Sequence, residues 1–290
     1  MRRPLLFLTS TCILCGIAAI SARVAPARQS TNSAPSDSRA YLGFDRNTYP
    51  GDAAIGTLRK TFSFTGYWLN NPPSETSNSW RGKREILNSN GFGFLLLFNG
   101  RLYKDLKTVA RAKTIGTQDS AVAIAAAKRE GFPSGAIIFL DQEQGGHMLP
   151  AQRAYLHSWI DGVIGAGFRA GIYCSGIAAT ENGEGGVITA NDIREGAEGR
   201  AIAFFIYNDS CPPSPGCAAP ANPPPPAQSG VAFATIWQFA QSPRRPEFTA
   251  KCASHYDADG NCYAPLFQGA NAIEVDVSSA TSADPSSGRR

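Results

Sequence analysis

The sequence has few of the residues that mark metal enzymes, membrane proteins or serine hydrolases. Only three histidines occur in 290 residues, and no histidine-bearing ligand pattern or EF-hand spacing is present, which leaves a divalent metal site as a weakly supported alternative. No segment after the first twenty residues reaches the roughly 18 apolar residues of a membrane helix. No Gly-x-Ser-x-Gly elbow is present. We therefore expect no cofactor, no metal and no serine nucleophile.

The two ends of the chain differ from its middle in composition. Two consecutive arginines precede the apolar stretch Leu5–Ile20, which is followed by small residues that a peptidase could cleave. This pattern predicts a secretory signal peptide over residues 1–27, with a single uncleaved anchor as the alternative. Residues 28–39 are polar and predict a disordered linker, and residues 281–290 predict a disordered tail.

The net charge argues against a nucleic-acid partner. The formal charge of the whole chain is +4, and it falls to +1 when residues 1–27 are removed, because that segment holds three arginines and no acid. No basic patch is dense enough to suggest binding to a phosphate backbone. We expect a monomer that is secreted or held in the periplasm or cell envelope, with no transmembrane segment after cleavage.

Five cysteines follow the proposed signal peptide. Cys211 and Cys217 flank a proline-rich stretch, and Cys252 and Cys262 flank a polar loop, so two local disulfides are the economical pairing. Cys174 lies within an apolar strand, where an unreactive buried thiol is favoured over a nucleophile.

Short apolar segments alternate with helical ones from residue 41 onward. This rhythm predicts a single α/β domain over residues 40–280, a (β/α)8 TIM-barrel-like fold, with an open doubly wound sheet as the alternative. The predicted strands are Tyr41–Phe44, Thr65–Leu69, Gly93–Phe98, Ala136–Leu140, Ala170–Cys174, Ala201–Tyr207, Ala234–Phe239 and Ala272–Val277. The clearest predicted helices are Ser79–Asn88, Thr117–Glu130 and Pro150–Ile164.

The fourth predicted strand carries the most informative motif. It runs through five apolar residues directly into Asp141 and, two positions later, Glu143. Because side chains alternate along a strand, the two carboxylates point to the same face. In a barrel, chemistry lies at the carboxyl ends of the strands, so this acid pair is a candidate active centre.

Other polar and aromatic residues also fall at strand ends, and they predict a concave binding site at the same rim. The candidates for substrate binding are Tyr67, Trp68, Asn99, Tyr173, Tyr207, Asn208, Trp237 and Gln238. The alternatives are that the aromatic residues only fill the barrel mouth and that the amides satisfy backbone groups. Residues 209–230 form a proline-rich insertion that we place on the same rim, either as a spacer or in contact with substrate.

The order of these motifs resembles the family 25 glycoside hydrolases, the lysozymes that cut peptidoglycan. It is still more similar to the domain of unknown function 1906 (DUF1906) group of glycoside-hydrolase-like barrels. The resemblance covers about residues 40–280. The motifs that carry it are Gly-Phe-Asp at 43–45, Phe-Leu-Asp-Gln-Glu at 139–143, Gly-Ile-Tyr at 171–173, Ile-Trp-Gln-Phe at 236–239 and Val-Asp-Val at 275–277.

The resemblance implies a catalytic assignment. Glu143 would protonate the glycosidic oxygen and Asp141 would be its partner, while Asp45 and Asp276 would complete an acidic rim. Clustered acids push their pKa values apart, as glycoside hydrolysis requires. We expect a secreted glycoside hydrolase that acts on an amino-sugar polysaccharide such as peptidoglycan. The alternatives are a non-catalytic glycan-binding module and an envelope interaction protein whose proline-rich insertion is the working part.

Overall fold

Ten strands and seven α-helices form within the part of the chain that the computed structural model describes. That part comprises residues 39–181, 183–210, 214, 216–250, 252, 256–267 and 269–289, with only the backbone described for Glu184. The strands are β1 (Tyr41–Asp45), β2 (Phe64–Trp68), β3 (Gly93–Asn99), β4 (Ile137–Asp141), β5 (Arg169–Ser175), β6 (Ala178–Glu181), β7 (Glu184–Ile188), β8 (Ile202–Tyr207), β9 (Ile236–Ala240) and β10 (Asp276–Ala280). The helices are α1 (Asp52–Leu58), α2 (Arg84–Ser89), α3 (Tyr103–Leu106), α4 (Val109–Arg129), α5 (Pro150–Gly165), α6 (Thr189–Glu195) and α7 (Pro246–Thr249). Short 3-10 turns occur at Pro226–Ser229 and Gly269–Asn271.

Eight of the strands close into a barrel in the order β1, β10, β9, β8, β5, β4, β3, β2. Seven of them run parallel to one another, and β10 is antiparallel to both of its neighbours. The expected α/β barrel is confirmed. The doubly wound alternative is wrong, because an open sheet would have two edge strands. The difference from a regular (β/α)8 barrel is the one reversed strand.

The seven parallel strands lie within two residues of their predicted bounds. Their side chains are buried on both faces over most of each strand, as the continuous apolar runs indicate. The barrel interior is filled by aromatic rings that pass over glycines on neighbouring strands. A Cβ at Gly43 would lie 2.2 Å from the ring of Phe64, and one at Gly171 would lie 2.4 Å from the ring of Phe139. The barrel is therefore a packed core with a closed floor beneath its mouth.

The two long helices differ in how well the sequence defines them. Helix α5 begins at Pro150 as predicted and ends one residue later than predicted. Helix α4 begins at Val109, eight residues before the predicted start, because the Thr108 side chain accepts a hydrogen bond from the amide of Arg111 and caps the helix there. The predicted cap, Thr117, lies inside the helix and donates its hydroxyl to the carbonyl of Lys113 at 3.1 Å. Helix α2 is shorter than predicted.

The last strand differs from its prediction in both position and direction. The predicted strand Ala272–Val277 placed Asp276 near a carboxyl end, whereas β10 begins at Asp276 and runs in the opposite sense. The amino end of a reversed strand lies at the same mouth as the carboxyl ends of the others. Asp276 therefore reaches the expected rim for a different reason from the one given by the sequence.

The predicted disordered tail at residues 281–290 is wrong over its described part, 281–289. Ser286 is fully buried and its hydroxyl accepts from the amide of Leu96 at 2.9 Å. Its carbonyl accepts from the amide of Ile137 at 2.8 Å. Asp284 accepts from the amide of Phe94 at 2.9 Å. These bonds tie the segment to β3 and β4 at the end of the barrel away from the candidate site.

The proline-rich crossover between β8 and β9 does not stay on the rim. Asn208 at the mouth donates its side-chain amide to the carbonyl of Ser229 at 2.6 Å, and the turn Pro226–Ser229 packs against β8 and β9. Residues 219–225, which precede this turn, line a cavity of about 1200 Å³. Tyr41 and Ser63, at the amino ends of β1 and β2, line the same cavity. The rim placement is therefore wrong for this part of the insertion, which takes the place of a crossover helix on the outside of the barrel.

The predicted disulfide pairing is also wrong. Cys217 is bonded to Cys262, and Cys252 has no disulfide to any cysteine that the structure describes. Cys211 lies outside the described residues. The observed bridge links the β8–β9 crossover to the loop before β10, two segments that are distant in sequence. Cys174 is buried and burial raises the pKa of its thiol, as an inert structural cysteine requires.

The predicted signal peptide at 1–27 and most of the predicted linker at 28–39 lie outside the described residues. Within the described ranges, no helix has both the length and the apolar character needed to cross a lipid bilayer.

Candidate functional site

Four acids from three strands and one loop line a single cavity at the barrel mouth, which we call the acid cavity. Asp45 and Asp141 are the last residues of β1 and β4, Asp276 is the first residue of β10, and Glu143 follows β4 by two positions. The cavity has a volume of about 160 Å³. Asp45 and Asp276 are direct partners in the β1–β10 ladder. The mixed barrel thus brings together carboxylates from both ends of the domain.

An amide side chain holds two of these acids in place. Gln238 Nε2 donates to both carboxylate oxygens of Asp45, at 3.2 and 3.3 Å, and lies 3.4 Å from Asp276 Oδ2. The backbone amide of Ser242 donates to Asp276 Oδ1 at 2.7 Å. On the β2 side, Asp45 lies against Gly66. A Cβ at position 66 would lie only 2.5 Å from the Asp45 Cβ, so glycine leaves room there for the Asp45 side chain. Gln238 was predicted as a site residue, and the structure places it on the floor of the cavity.

Gln241 extends the amide network and was not predicted from the sequence. Its Nε2 donates to Gln238 Oε1 at 3.1 Å and to Tyr173 Oη at 3.2 Å, while Tyr173 donates to Gln238 Oε1 at 2.8 Å. Gln241 lines the acid cavity, and its buried Oε1 has no hydrogen-bond partner among the described residues. The only sequence signal for this residue is its position one residue beyond β9, on the predicted rim.

Burial raises the pKa of both ladder partners. The pKa of Asp45 is raised to about 7, mainly by burial and further by the charge of Glu143, while the hydrogen bond from Gln238 acts in the opposite direction. The pKa of Asp276 is raised well above its ordinary value by burial and by the charge of Asp45. The cavity floor can therefore hold protons near neutral pH.

Asp141 and Glu143 form an acid pair with one buried and one exposed member. Asp141 is 5% exposed, whereas Glu143 is open to solvent. Burial raises the pKa of Asp141 well above its ordinary value, and the charge of Glu143 and a hydrogen bond to it add to that effect. Asp141 Oδ1 has no hydrogen-bond partner among the described residues. Two carboxyls that share a site can hold one proton between them, and the exposed member faces any bound substrate.

Three of the predicted aromatic residues lie where a sugar could contact them. Trp68 and Tyr173 line the acid cavity. Tyr207 lines a second cavity of about 370 Å³, which we call the side cavity. Residues of β6 form another wall of the side cavity, and the β6–β7 hairpin was not predicted because its sequence does not alternate between apolar and polar residues.

Two predicted aromatic platforms point away from the mouth. Tyr67 is fully buried behind β2, where its hydroxyl donates to Glu130 Oε2 at 2.6 Å. Trp237 is fully buried behind β9 and donates its indole N–H to the carbonyl of Asn208 at 2.7 Å. Each is adjacent in sequence to an inward-facing residue, Trp68 or Gln238, and strand alternation directs it outward. Their prediction as substrate platforms is wrong.

The two predicted asparagines stabilise loops. Asn99 Nδ2 donates to the carbonyl of Asn71 at 3.0 Å, and its backbone amide donates to Asn70 Oδ1 at 2.8 Å. Asn208 donates to Ser229, as described above, and its Oδ1 accepts from Ser210. Neither lines the acid cavity or the side cavity. Both asparagines therefore match the alternative in which an amide side chain satisfies backbone groups.

Arg245 is the second site residue that the sequence did not indicate. It lines both the acid cavity and the side cavity, and its guanidinium carbon lies 4.8 Å from the centre of the Tyr207 ring. It follows β9 in a loop whose charged residues gave no signal. Among the described residues, no group of three or more His, Cys, Asp and Glu is arranged to hold a metal ion.

The closed α/β barrel with four carboxylates at its mouth has a glycoside-hydrolase-like fold. Residues 65–208 match the model of the Rv2525c-like, glycoside hydrolase-like domain family. The match spans just under half of the chain, and it confirms the resemblance that the sequence motifs indicated. The matched range contains Asp141 and Glu143 but not Asp45, Gln238 or Asp276.

Several solved structures have a similar fold. An uncharacterized protein of B. stearothermophilus is 17% identical, with a TM-score of 0.50 over 83% of this chain and 95% of that one. The Mycobacterium tuberculosis Tat-secreted protein Rv2525c, in complex with L-tartrate, is 14% identical, with a TM-score of 0.50 over 83% and 95% of the two chains. A family 25 glycosyl hydrolase from Bacillus anthracis is 12% identical, with a TM-score of 0.43 over 84% and 90%. At these identities the likeness concerns the fold alone. No curated protein matches the sequence.

Proposed function

We propose that this protein is an exported glycoside hydrolase that cleaves an amino-sugar polysaccharide such as peptidoglycan. The observation that carries the proposal is the convergence of Asp45, Asp141, Glu143 and Asp276 on one cavity at the barrel mouth. Glycosidic cleavage needs one carboxyl that donates a proton and another that stabilises positive charge on the sugar.

The acid pair supplies the first requirement. Glu143 is the exposed member, so in our proposal it donates a proton to the glycosidic oxygen. Asp141 is the buried member of the pair and lines the same cavity. In our proposal it orients the acetamido group of the substrate.

The ladder partners supply the second requirement. Asp45 and Asp276 lie on the floor of the same cavity, where Gln238 fixes their orientation. At a pH above the raised pKa of Asp45, about 7, its carboxylate lies in a low-dielectric site, where it stabilises developing positive charge more strongly than a carboxylate in water does. Trp68 and Tyr173 add apolar surface at the same cavity for the faces of sugar rings.

The proposal of export depends on the amino-terminal pattern and on the observed disulfide. Residues 1–27 have the charged, apolar and small-residue order of a signal peptide. The Cys217–Cys262 bridge suits an oxidising compartment, such as the periplasm or the outside of the cell.

The test is a reducing-end and turbidity assay of the purified protein on bacterial cell walls and on chitin-type oligomers. Glu143→Gln should lower the turnover rate at least 100-fold while binding of the oligomer is kept, because only proton donation is lost. Glu195→Gln is the matched control, since Glu195 is exposed on α6 away from the mouth. Equal activity of Glu143→Gln and the wild type would refute the assignment.

A second candidate function is glycan binding without cleavage. The observation in its favour is that Gln238 already donates to both Asp45 and Asp276, so the cavity floor is a satisfied amide–acid network. In that case the wild type would bind the oligomers without releasing reducing ends. An envelope interaction through the proline-rich segment would instead be lost only when residues 211–229 are deleted.

A further inference from the structure

The side cavity adjoins the acid cavity, and the two share a wall. Glu143, Tyr173 and Arg245 line both. The side cavity, at about 370 Å³, lies within the range of roughly 300–1,000 Å³ typical of ligand pockets. A sugar chain that places its scissile bond at Glu143 would therefore place a neighbouring ring beside Arg245.

The Arg245 backbone is fixed, and its guanidinium forms no ion pair with an acid among the described residues, although the charges of Asp209, Glu143 and Asp276 interact with it at longer range. Its carbonyl accepts from the amides of Phe248 and Thr249, both at 3.0 Å, and thereby starts α7. No carboxylate oxygen of the described residues lies within 4.0 Å of its guanidinium nitrogens. Arg101 and Arg200, by contrast, each donate to an aspartate at 2.7 Å.

The Tyr207 ring keeps this cation at the cavity wall. The guanidinium carbon lies 4.8 Å from the ring centre, a distance typical of a cation–π contact. The Tyr207 hydroxyl donates to the buried Asp209 at 2.9 Å, so the ring is itself fixed. A guanidinium carries five N–H groups, so after its contact with Tyr207 the half-buried Arg245 still has N–H groups that can pair with the two oxygens of a carboxylate.

We propose that the side cavity binds a sugar unit that carries a free carboxylate, and that Arg245 is the residue that selects it. The inference rests on the proposed glycan function and narrows its substrate class to acidic glycans. The carboxylate would lie against Arg245, and the ring bearing the scissile bond would lie over the acid cavity. Asp141 and Gln241 line that cavity and are the polar residues that would face its hydroxyl or acetamido groups.

The four acids of the acid cavity repel a bound carboxylate less strongly than four full negative charges would. Burial raises the pKa values of Asp45, Asp141 and Asp276, so part of their negative charge is absent near neutral pH. A competing explanation is that Arg245 only offsets the remaining charge of these acids. That role would affect every ligand equally and would not distinguish an acidic sugar from a neutral one.

The experiment compares three disaccharides, each with one N-acetylglucosamine ring, by calorimetric titration of the Glu143→Gln protein. N-acetylglucosaminyl-N-acetylmuramic acid carries a lactyl carboxylate, a glucuronic acid–N-acetylglucosamine disaccharide carries a ring carboxylate, and di-N-acetylchitobiose is neutral. At least one acidic disaccharide should bind at least tenfold more tightly than chitobiose, equivalent to about 1.4 kcal/mol. The more tightly bound of the two identifies the source of the carboxylate.

Two further variants assign the preference to Arg245. Arg245→Gln should abolish it, and Arg245→Lys should retain part of it, because lysine keeps the charge but not the paired geometry. Arg169→Gln makes the same charge change at the exposed start of β5, at the opposite end of the barrel, and should leave the preference intact. If Arg245→Gln does not fold, the charge is tested with salt instead. The preference of the Glu143→Gln protein for an acidic disaccharide should then fall between 50 and 500 mM salt.

Equal binding of all three disaccharides, or a preference that survives in Arg245→Gln, would overturn the inference. Neither result would affect the hydrolase proposal if cell walls are still cleaved by the wild type and not by Glu143→Gln. Conversely, a clear acidic preference in a wild-type protein that cleaves nothing would support acidic-glycan binding and remove only the catalytic proposal.

Discussion

Gln238 and Asp45 face each other across the barrel mouth, with the Gln238 amide nitrogen 3.2 and 3.3 Å from the two carboxylate oxygens. The same amide group also serves Asp276, Tyr173 and Gln241. One side chain therefore satisfies polar groups that come from four different segments of the chain. The candidate site is built around this amide.

Replacing Gln238 with leucine should destabilise the fold by about 3 kcal/mol, because buried acceptors and donors lose their partners. Urea denaturation followed by tryptophan fluorescence measures the free energy of unfolding. Gln228→Leu is the control, since Gln228 is exposed on the turn before β9 and should change stability by less than about 0.5 kcal/mol. A loss below about 1 kcal/mol for Gln238→Leu would show that the network contributes little.

The pKa of Asp45 makes stability depend on pH. In the folded protein this pKa is raised from 3.8 to about 7, so the folded state holds the proton more tightly than the unfolded state does. The contribution to stability is complete below about pH 4 and is lost as the pH rises through 7. Its size is on the order of 4 kcal/mol.

Asp45→Asn should therefore flatten the fall in unfolding free energy between pH 4.5 and pH 8. Urea denaturation at four pH values measures the slope for both proteins. Asp276 and Asp141 titrate in the same direction and leave a residual slope in the variant. Identical slopes in the two proteins would mean that folding does not raise the pKa of Asp45.

Non-reducing peptide mapping should find Cys217 bonded to Cys262. Removing the bridge with Cys217→Ser should cost about 3 kcal/mol, because the crossover and the loop before β10 are no longer linked. Cys252→Ser is the control, and it should cost less than about 1 kcal/mol. Recovery of a Cys211–Cys217 peptide as the main species would instead support the local pairing that the sequence suggested.

Ser286→Ala should destabilise the protein by about 2 kcal/mol, since the buried amide of Leu96 loses its acceptor. Amide hydrogen exchange at Leu96 should accelerate in the same variant. Ser282→Ala removes a hydroxyl from an exposed position in the same segment, where water can replace it, and should have little effect. If both substitutions are neutral, the carboxyl-terminal segment does not contribute to the core.

The sequence predicted the parallel strands well because each is a short apolar run buried on both faces. It also placed Asp141 and Glu143 at the end of such a run. It could not separate Tyr67 from Trp68, because adjacent residues on a strand face opposite sides and both are aromatic. Only the register of β2 against its neighbours decides which of them reaches the mouth.

Gln241 and Arg245 show a second limit of the sequence. Both lie in the loop that follows β9, and nothing in their local spacing distinguishes them from surface residues. Their roles depend on what the barrel brings next to them, namely Gln238 and Tyr173 for Gln241, and Tyr207 for Arg245.

The sequence by itself determined that the chain forms an α/β barrel with acidic strand ends, because burial and alternation are properties of short segments. Only the tertiary structure decided the direction of β10, the Cys217–Cys262 bridge and the packing of residues 281–289 against β3 and β4. Each of these depends on a contact between residues that are distant in the chain. Such contacts are chosen by closure of the barrel as a whole, and no local pattern encodes them.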